Sequence, residues 1–144
     1  MRDTVSVSRV QLLHPQVRDE VKTLIEKAEA GFPTWMAIRI AEGLRTIEYQ
    51  NEKIWAQGRT IPGPNATKAK PLGDIVSKAK GGASYHNYGL AFDFCIVIDK
   101  DRNGTFETVS WDELADLDKD GVSDWKEIVA IFVAAGWEWG GNWS

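Results

Sequence analysis

Apolar residues in the first third of the chain recur at helical spacing and then form a short continuous run. Between residues 15 and 30 they stand three or four positions apart, and Pro15 suits a first helical turn (Val17, Val21, Leu24, Ile25, Ala28). The run over 36–40 is short and unbroken, as in a buried strand. The pattern therefore predicts a helix over 15–30, followed by a strand that ends near residue 42.

The rest of the chain alternates between polar segments and shorter apolar runs. Thr46 suits the N-cap of a second helix that continues to about Gln57, where Gly58 would end it. The segment 59–82 is rich in proline and glycine, which predicts a long surface loop. Further on, the pattern predicts a strand over 90–98, a helix over about 124–135 and a short strand over 136–139. This succession predicts an α+β fold.

Length and composition indicate one domain, residues 1–144, with a hydrophobic core. The chain has 144 residues, 43% of them hydrophobic, and no apolar run of eighteen that would predict a membrane-spanning helix. Its first residues lack the apolar stretch of a secretory signal, and Cys95 is the single cysteine, which excludes an internal disulfide. We therefore expect synthesis in a reducing cytoplasm.

Acidic residues concentrate between Asp99 and Glu127. This segment holds ten acidic and four basic residues, a local charge of −6, whereas the whole chain carries −4. Such a concentration favours cation binding there and argues against a nucleic-acid partner for that face. A solvated acidic loop is the alternative interpretation.

Residues 116–127 match the calcium-loop pattern D-x-D-x-D-G-x₅-E at each of its charged positions. The predicted ligands are three aspartate side chains, one carbonyl, one water-mediated carboxylate and a bidentate glutamate (Asp116, Asp118, Asp120, Val122, Asp124, Glu127). A capping pattern at Ser110–Glu113 predicts about one helical turn before the loop. A similar loop begins at Asp99, but Ser110 takes its closing position, so we expect weak binding or a simple turn there.

Asp93 is a carboxylate inside the apolar run over 90–98, which the pattern predicts to be buried on both faces. An unpaired carboxylate there would cost several kcal/mol, so it should be protonated, ion-paired or bound to a metal. His86 lies seven residues upstream, in a segment that contains Gly89. Catalytic zinc takes three protein ligands and one open position, and these two residues could supply two of them; an ordinary ion pair is the alternative.

The arrangement Ser84-x-His86-x-x-Gly89-x-Ala91-x-Asp93 closely resembles the zinc signature of the D-Ala-D-Ala carboxypeptidase/hedgehog-like metallopeptidases. Residues 84–94 are similar to its L-alanyl-D-glutamate endopeptidase branch, which occurs in phage endolysins and bacterial wall hydrolases. Two further blocks, 42–60 and 136–143, are similar to that branch as well. The resemblance extends from about residue 12 to 144, and it implies a small antiparallel sheet with flanking helices.

The resemblance also implies roles for individual residues. His86 and Asp93 would be zinc ligands, and Arg45 would stabilise the anionic intermediate of amide hydrolysis. Ser84 would hydrogen-bond the substrate, and Gln50 would help to shape the same pocket. Each of the last three has a structural alternative: an ion pair with a surface acid for Arg45, a turn cap for Ser84, and an exposed helix position for Gln50.

One part of the family pattern is missing from this chain. The family completes its site with an Asp/Glu-x-x-His segment, which gives the third zinc ligand and the general base, soon after the block that ends here near Trp143. We expect His14, the other histidine, to pack with Pro15 rather than to bind metal. Three interpretations remain: a C-terminally truncated enzyme, Cys95 as a substitute ligand, or a relative that binds without catalysis.

The resemblance thus implies a zinc-dependent hydrolase of the L-Ala–D-Glu bond in peptidoglycan stem peptides, and the loop pattern adds calcium as a second metal. The alternatives are a D,D-carboxypeptidase on the same fold and an inactive, calcium-stabilised wall-binding module. We expect a monomer that binds stem peptides, with neither nucleic acid nor membrane as a partner. It would reach the cell wall after release, as in phage or prophage lysis.

Overall fold

The structure, a computed structural model, describes residues 1–140. Its helices are α1 (Thr4–Val10), α2 (Pro15–Ala30), α3 (Ile47–Tyr49) and α4 (Asp124–Ala134), and its strands are β1 (Met36–Glu42), β2 (Asp93–Ile98) and β3 (Thr108–Ser110). A π-helical segment (Gln50–Trp55) continues α3, and a 3₁₀ turn (Tyr85–Tyr88) precedes β2. The predicted α+β class is confirmed. No helix in the described part of the chain is long and apolar enough to cross a membrane.

The chain divides into two compact units, each with its own internal contacts. One, here called the sheet unit, comprises Met1–Gln11, Pro15–Ala41 and the chain from Asp93 onward. The other, here called the loop unit, comprises Leu12–His14 and Glu42–Phe92.

The sheet unit is built on the three strands in the order β1-β2-β3, with β2 and β3 antiparallel and Ile96 opposite Ser110. Helices α2 and α4 contact each other in the same unit. The core comes from the apolar positions of these elements, most of them fully buried (Val21, Ile25, Ile38, Ile40, Ile96, Val97, Ile128). The predicted helix over 15–30 and the predicted strand beginning at 36 are therefore confirmed.

Helix α1 is absent from the sequence prediction, and one carboxylate accounts for its position. Asp3 caps the helix by accepting from the Ser6 backbone N–H at 3.2 Å. The same carboxylate accepts two hydrogen bonds from Arg39 of β1, each 2.9 Å long. Burial alone would raise the pKa of Asp3, but the hydrogen bonds and charge of Arg39 outweigh burial and hold the pKa below its usual value.

The loop unit contains the long proline- and glycine-rich segment that the sequence predicts. Backbone hydrogen bonds organise it, among them Gly63 N–H to Leu72 O at 2.8 Å and Asp74 N–H to Pro64 O at 2.7 Å. The Arg59 guanidinium lies 3.4 Å from the centre of the Trp55 ring and donates to the Ser77 carbonyl at 3.0 Å. The segment is therefore held by its own contacts although it has little regular secondary structure.

Three predicted elements differ from the structure. Thr46 caps the second helix as predicted, accepting from Tyr49 N–H at 3.0 Å, but the helix widens to π geometry from Gln50. No helical turn precedes the 116–127 loop, because Asp112 Oδ1 accepts from Leu114 N–H and closes a local turn instead. No strand covers 136–139: α4 is followed by Gly136 at φ +97°, a conformation that continues neither helix nor strand.

Candidate functional site

A short 3₁₀ turn in the loop unit carries His86. Ser84 caps it by accepting from the His86 N–H at 3.3 Å, and Asn87 Oδ1 accepts in return from the Ser84 N–H at 3.2 Å. Gly89 ends the turn at φ +68°, and a Cβ there would lie 2.6 Å from the backbone nitrogen of His14. Only glycine fits this position, both for its backbone conformation and for the space available.

The imidazole of His86 is oriented by a backbone carbonyl. His86 Nδ1 lies 2.8 Å from the carbonyl oxygen of Gly43. Because a carbonyl only accepts, Nδ1 must carry the hydrogen, so in the neutral ring Nε2 carries the lone pair. Metal-binding histidines are held in this way, with one ring N–H donated to a fixed acceptor. The ring of His86 therefore has the tautomer and the support that a zinc ligand needs.

Arg45 is fixed by two neighbours in the loop unit. Its guanidinium donates to both carboxylate oxygens of Glu42 at 2.9 Å and, through Nη1, to Gln50 Oε1 at 2.8 Å. The Arg45 hydrogen bonds lower the pKa of Glu42, which keeps the pair ionised near neutral pH. Arg45 N–H also donates to the His86 carbonyl at 2.8 Å. The ion-pair alternative thus describes one contact of Arg45, and its role at a zinc site remains a prediction.

Gln50 is completely buried, so its interpretation as an exposed helix residue is wrong. Its amide donates to the Ala79 carbonyl at 2.6 Å and to Ser77 Oγ at 3.3 Å, while its carbonyl accepts from Arg45. Gln50 therefore joins the guanidinium of Arg45 to the 77–79 segment. Its predicted contribution to a substrate pocket remains untested.

Ser84 caps the turn that carries His86, which is the structural alternative given above for this residue. This contact uses the hydroxyl oxygen as an acceptor. The predicted hydrogen bond from Ser84 to a substrate therefore stays a prediction.

Asp93 does not occupy the position that the apolar run predicted. It is exposed, and the buried part of β2 begins two residues later at Cys95. The prediction of a buried carboxylate is wrong because β2 starts at Asp93 itself, so residues 90–92 precede the strand instead of extending its buried interior. The exposed position removes the argument from burial, so only the motif now argues for Asp93 as a ligand.

Cys95, the proposed substitute for a third zinc ligand, finds little support in the structure. Cys95 is 2% exposed and packs in the core with Ala37 and Val97. Burial raises the pKa of its thiol, which opposes the thiolate that metal binding requires. The backbone N–H of His14 donates to the Gly89 carbonyl at 2.9 Å, so this histidine lies beside the turn that carries His86. Within residues 1–140, the groups of three converging metal ligands all lie in the acidic segment.

Two residues that sequence reasoning missed help to hold this arrangement. Glu42 orients Arg45, and the presence of opposite charges three residues apart was the available signal. Asn87 donates to the Arg45 carbonyl at 2.9 Å and accepts from the Gly82 N–H at 2.9 Å. Nothing in the sequence distinguishes Asn87 from an ordinary turn residue.

The acidic segment of the sheet unit contains two loops with the same backbone conformation. Lys119 and Gly121 have φ of +57° and +91°, and the matching Arg102 and Gly104 have +58° and +89°. In each loop the first aspartate accepts from two backbone N–H groups, four and five residues further along. The two predicted loops are therefore structural equivalents.

The carboxylates of the second loop are crowded. Asp116, Asp118 and Asp124 bring oxygens within 4.8 Å of one another, and so do Asp118, Asp120 and Glu127. Burial, together with the neighbouring carboxyl groups, raises the pKa of Asp118 to about 6 and that of Glu127 to about 8. Burial and like charges therefore disfavour the charged forms of these two groups, an effect that a nearby cation would oppose.

Comparison with known proteins agrees with the motif. The D-alanyl-D-alanine carboxypeptidase family matches residues 77–144, a segment that includes His86 and Asp93. The peptidoglycan L-alanyl-D-glutamate endopeptidase CwlK of Bacillus subtilis (strain 168) is 39% identical over 131 residues, which cover 91% of this chain. The matched chain spans 66% of the length of that relative. Residues 77–144 therefore match the D-alanyl-D-alanine carboxypeptidase family, and most of the chain is similar to a peptidoglycan endopeptidase.

Proposed function

We propose that the chain is a zinc-dependent endopeptidase that hydrolyses the L-Ala–D-Glu bond of peptidoglycan stem peptides. The identity of 39% to CwlK over 91% of the chain carries this proposal, because that relative is named for this bond. Peptidases of the family are typically zinc-dependent. The Gly43 carbonyl supports the proposal, since it sets the His86 tautomer that zinc binding needs.

In this proposal His86 and Asp93 would hold the zinc, through an imidazole nitrogen and a carboxylate oxygen, which are donor types that zinc prefers. When bound there, zinc would supply Lewis acidity for the scissile carbonyl and would lower the pKa of a water molecule. Arg45 contributes a fixed positive charge that favours the developing oxyanion. Glu42 and Gln50 orient that charge through the contacts described above. Ser84 is the proposed hydrogen-bonding partner of the substrate.

Zinc content is the first test of this proposal. The chain has two histidines, so His86→Gln has a matched control in His14→Gln. We expect one zinc per chain in the wild type and in His14→Gln, and loss of stoichiometric zinc in His86→Gln. Equal zinc content in the two variants would contradict the assignment of His86.

Product analysis separates the three candidate functions. Purified peptidoglycan is incubated with the chain, and in parallel with the chain extended past Ser144, because residues 1–140 provide no assigned third ligand or general base. The endopeptidase exposes new amino termini on glutamate, whereas a D,D-carboxypeptidase releases free D-alanine. A wall-binding module does neither but sediments with the peptidoglycan. Free D-alanine without new glutamate termini would overturn the proposed bond.

A further inference from the structure

We propose that the 116–127 loop of the sheet unit binds one calcium ion, and that this ion joins the loop to the first turn of α4. The loop contains two clusters of three carboxylates, and Asp118 belongs to both of them. A single cation beside Asp118 can therefore reach oxygens of both clusters. Asp124 and Glu127 belong to α4, so their ligation would link the helix to the loop. This metal site is independent of the proposed zinc chemistry.

A buried carboxylate oxygen without a hydrogen-bond partner points to a cation site at this cluster. Asp124 is fully buried. Its Oδ2 accepts from the Leu117 N–H at 2.7 Å, but its Oδ1 has no hydrogen-bond partner among residues 1–140. The same is true of Asp118 Oδ1. Burying carboxylate oxygens without a donor is costly, and a cation between them would remove that cost.

The character of the donors selects the type of cation. The cluster offers oxygen ligands only, from the four aspartates, Glu127 and the backbone, which suits a hard divalent ion. Calcium accepts six to eight oxygens in flexible geometry, whereas magnesium requires a near-ideal octahedron and tends to keep several waters. A crowded loop rich in carboxylates with a potentially bidentate glutamate therefore favours calcium.

The 99–110 loop provides an internal comparison. It has the same backbone conformation, and Asp99, Asp101 and Glu107 also converge. Both Asp99 oxygens accept backbone N–H groups, and Glu107 Oε1 accepts from the Lys100 N–H at 3.0 Å. Its closing position is Ser110, within β3, in place of a glutamate. None of its oxygens appears as a buried, unpartnered atom among the described residues.

The test compares the same position in the two loops. Asp118→Asn changes the third position of the 116–127 loop, and Asp101→Asn changes the third position of the other. Calcium binding is followed by calorimetry, by the melting temperature and by terbium luminescence excited through tryptophan, since Trp125 adjoins Asp124 in sequence. Zinc is kept equimolar throughout, and His86→Gln is included, so that loss of zinc is not mistaken for loss of calcium.

We expect the wild type, Asp101→Asn and His86→Gln to bind one calcium per chain and to melt at a higher temperature with calcium than without it. Asp118→Asn should weaken calcium binding by about tenfold or more and should lose the calcium-induced shift. Without calcium, Asp118→Asn should melt no lower than the wild type, since its amide can donate to Asp124. This last measurement distinguishes lost ligation from simple unfolding.

Three results would overturn the proposal. The first is the absence of heat, of terbium emission and of a melting shift in the wild type at millimolar calcium. The second is equal loss of binding in Asp101→Asn and Asp118→Asn, which would assign the ion to neither loop in particular. The third is unchanged calcium affinity in Asp118→Asn.

Discussion

Single side chains fix the loop unit around Arg45. Gln50 is the clearest case, because a fully buried amide satisfies the Ala79 carbonyl on one side and the Arg45 guanidinium on the other. From the sequence, Gln50 could be either a pocket residue or an exposed one. The difference depends on the contact with residues 77–79, nearly thirty positions away, which no local pattern encodes.

Gln50→Ala should therefore destabilise the fold. The substitution leaves the Ala79 carbonyl and one Arg45 donor without their partner, a loss of about 1–3 kcal/mol for buried polar groups. Gln57→Ala is the control, since Gln57 also donates to a backbone carbonyl, that of Lys53, but at an exposed position. Denaturant unfolding of both variants checks the prediction. Equal losses in the two would mean that burial of Gln50 is not what matters.

Gly89 can be tested in the same way, against a glycine of similar conformation. Gly89 and Gly104 both have positive φ, at +68° and +89°, but a Cβ at Gly89 would lie 2.6 Å from His14 N, whereas nothing lies within 4 Å at Gly104. Gly104→Ala should cost about 1–2 kcal/mol from backbone strain alone. Gly89→Ala should lower the free energy of unfolding by more, because the added Cβ clashes with His14. A smaller loss than in Gly104→Ala would contradict the close contact between Gly89 and His14.

Helices and strands were predicted correctly where the apolar spacing extends over several turns. They were missed where a single side chain determines whether the element forms. Helix α2 has four turns of regular apolar spacing, so its bounds follow from the sequence. Helix α1 has seven residues and depends on Asp3, whose partner Arg39 is distant in sequence. The apolar run over 90–98 predicted the buried strand but not its first residue, because apolar residues also precede β2. The prediction therefore placed Asp93 in the buried interior of the strand.

Asp3→Asn should loosen α1 from β1. The change weakens the cap and removes the charge that pairs with Arg39, at a cost of about 1–2 kcal/mol near neutral pH. Because the pKa of Asp3 is lowered in the folded protein, its stabilisation is present above the unfolded-state pKa and is lost as the pH falls through the folded-state value. Thermal melts at several pH values should thus show wild type and variant converging in acid. Asp19→Asn, at an exposed site on α2, is the control; a gap between wild type and Asp3→Asn that persists or widens in acid would contradict this account.

For the whole molecule, the sequence motifs indicated the family, and the structure showed which residues orient the predicted site residues. The sequence indicated His86 and Arg45 by their place in the family pattern. It could not indicate the Gly43 carbonyl as the partner of His86, because that contact depends on how the chain folds back. The acidic segment shows the converse. Its loop pattern was evident in the sequence, but only the structure distinguishes the loop with unpartnered buried oxygens from its equivalent.

A zinc titration of peptidoglycan hydrolysis tests whether this chain is a zinc-dependent endopeptidase. Metal-free protein, as the chain alone and as the chain extended past Ser144, receives increasing zinc, and new glutamate amino termini are counted. We expect these termini to appear with added zinc, to level off at one zinc per chain, and to be absent in His86→Gln but present in His14→Gln. Glutamate termini released at the same rate without zinc, or none from either form at full zinc loading, would contradict this expectation.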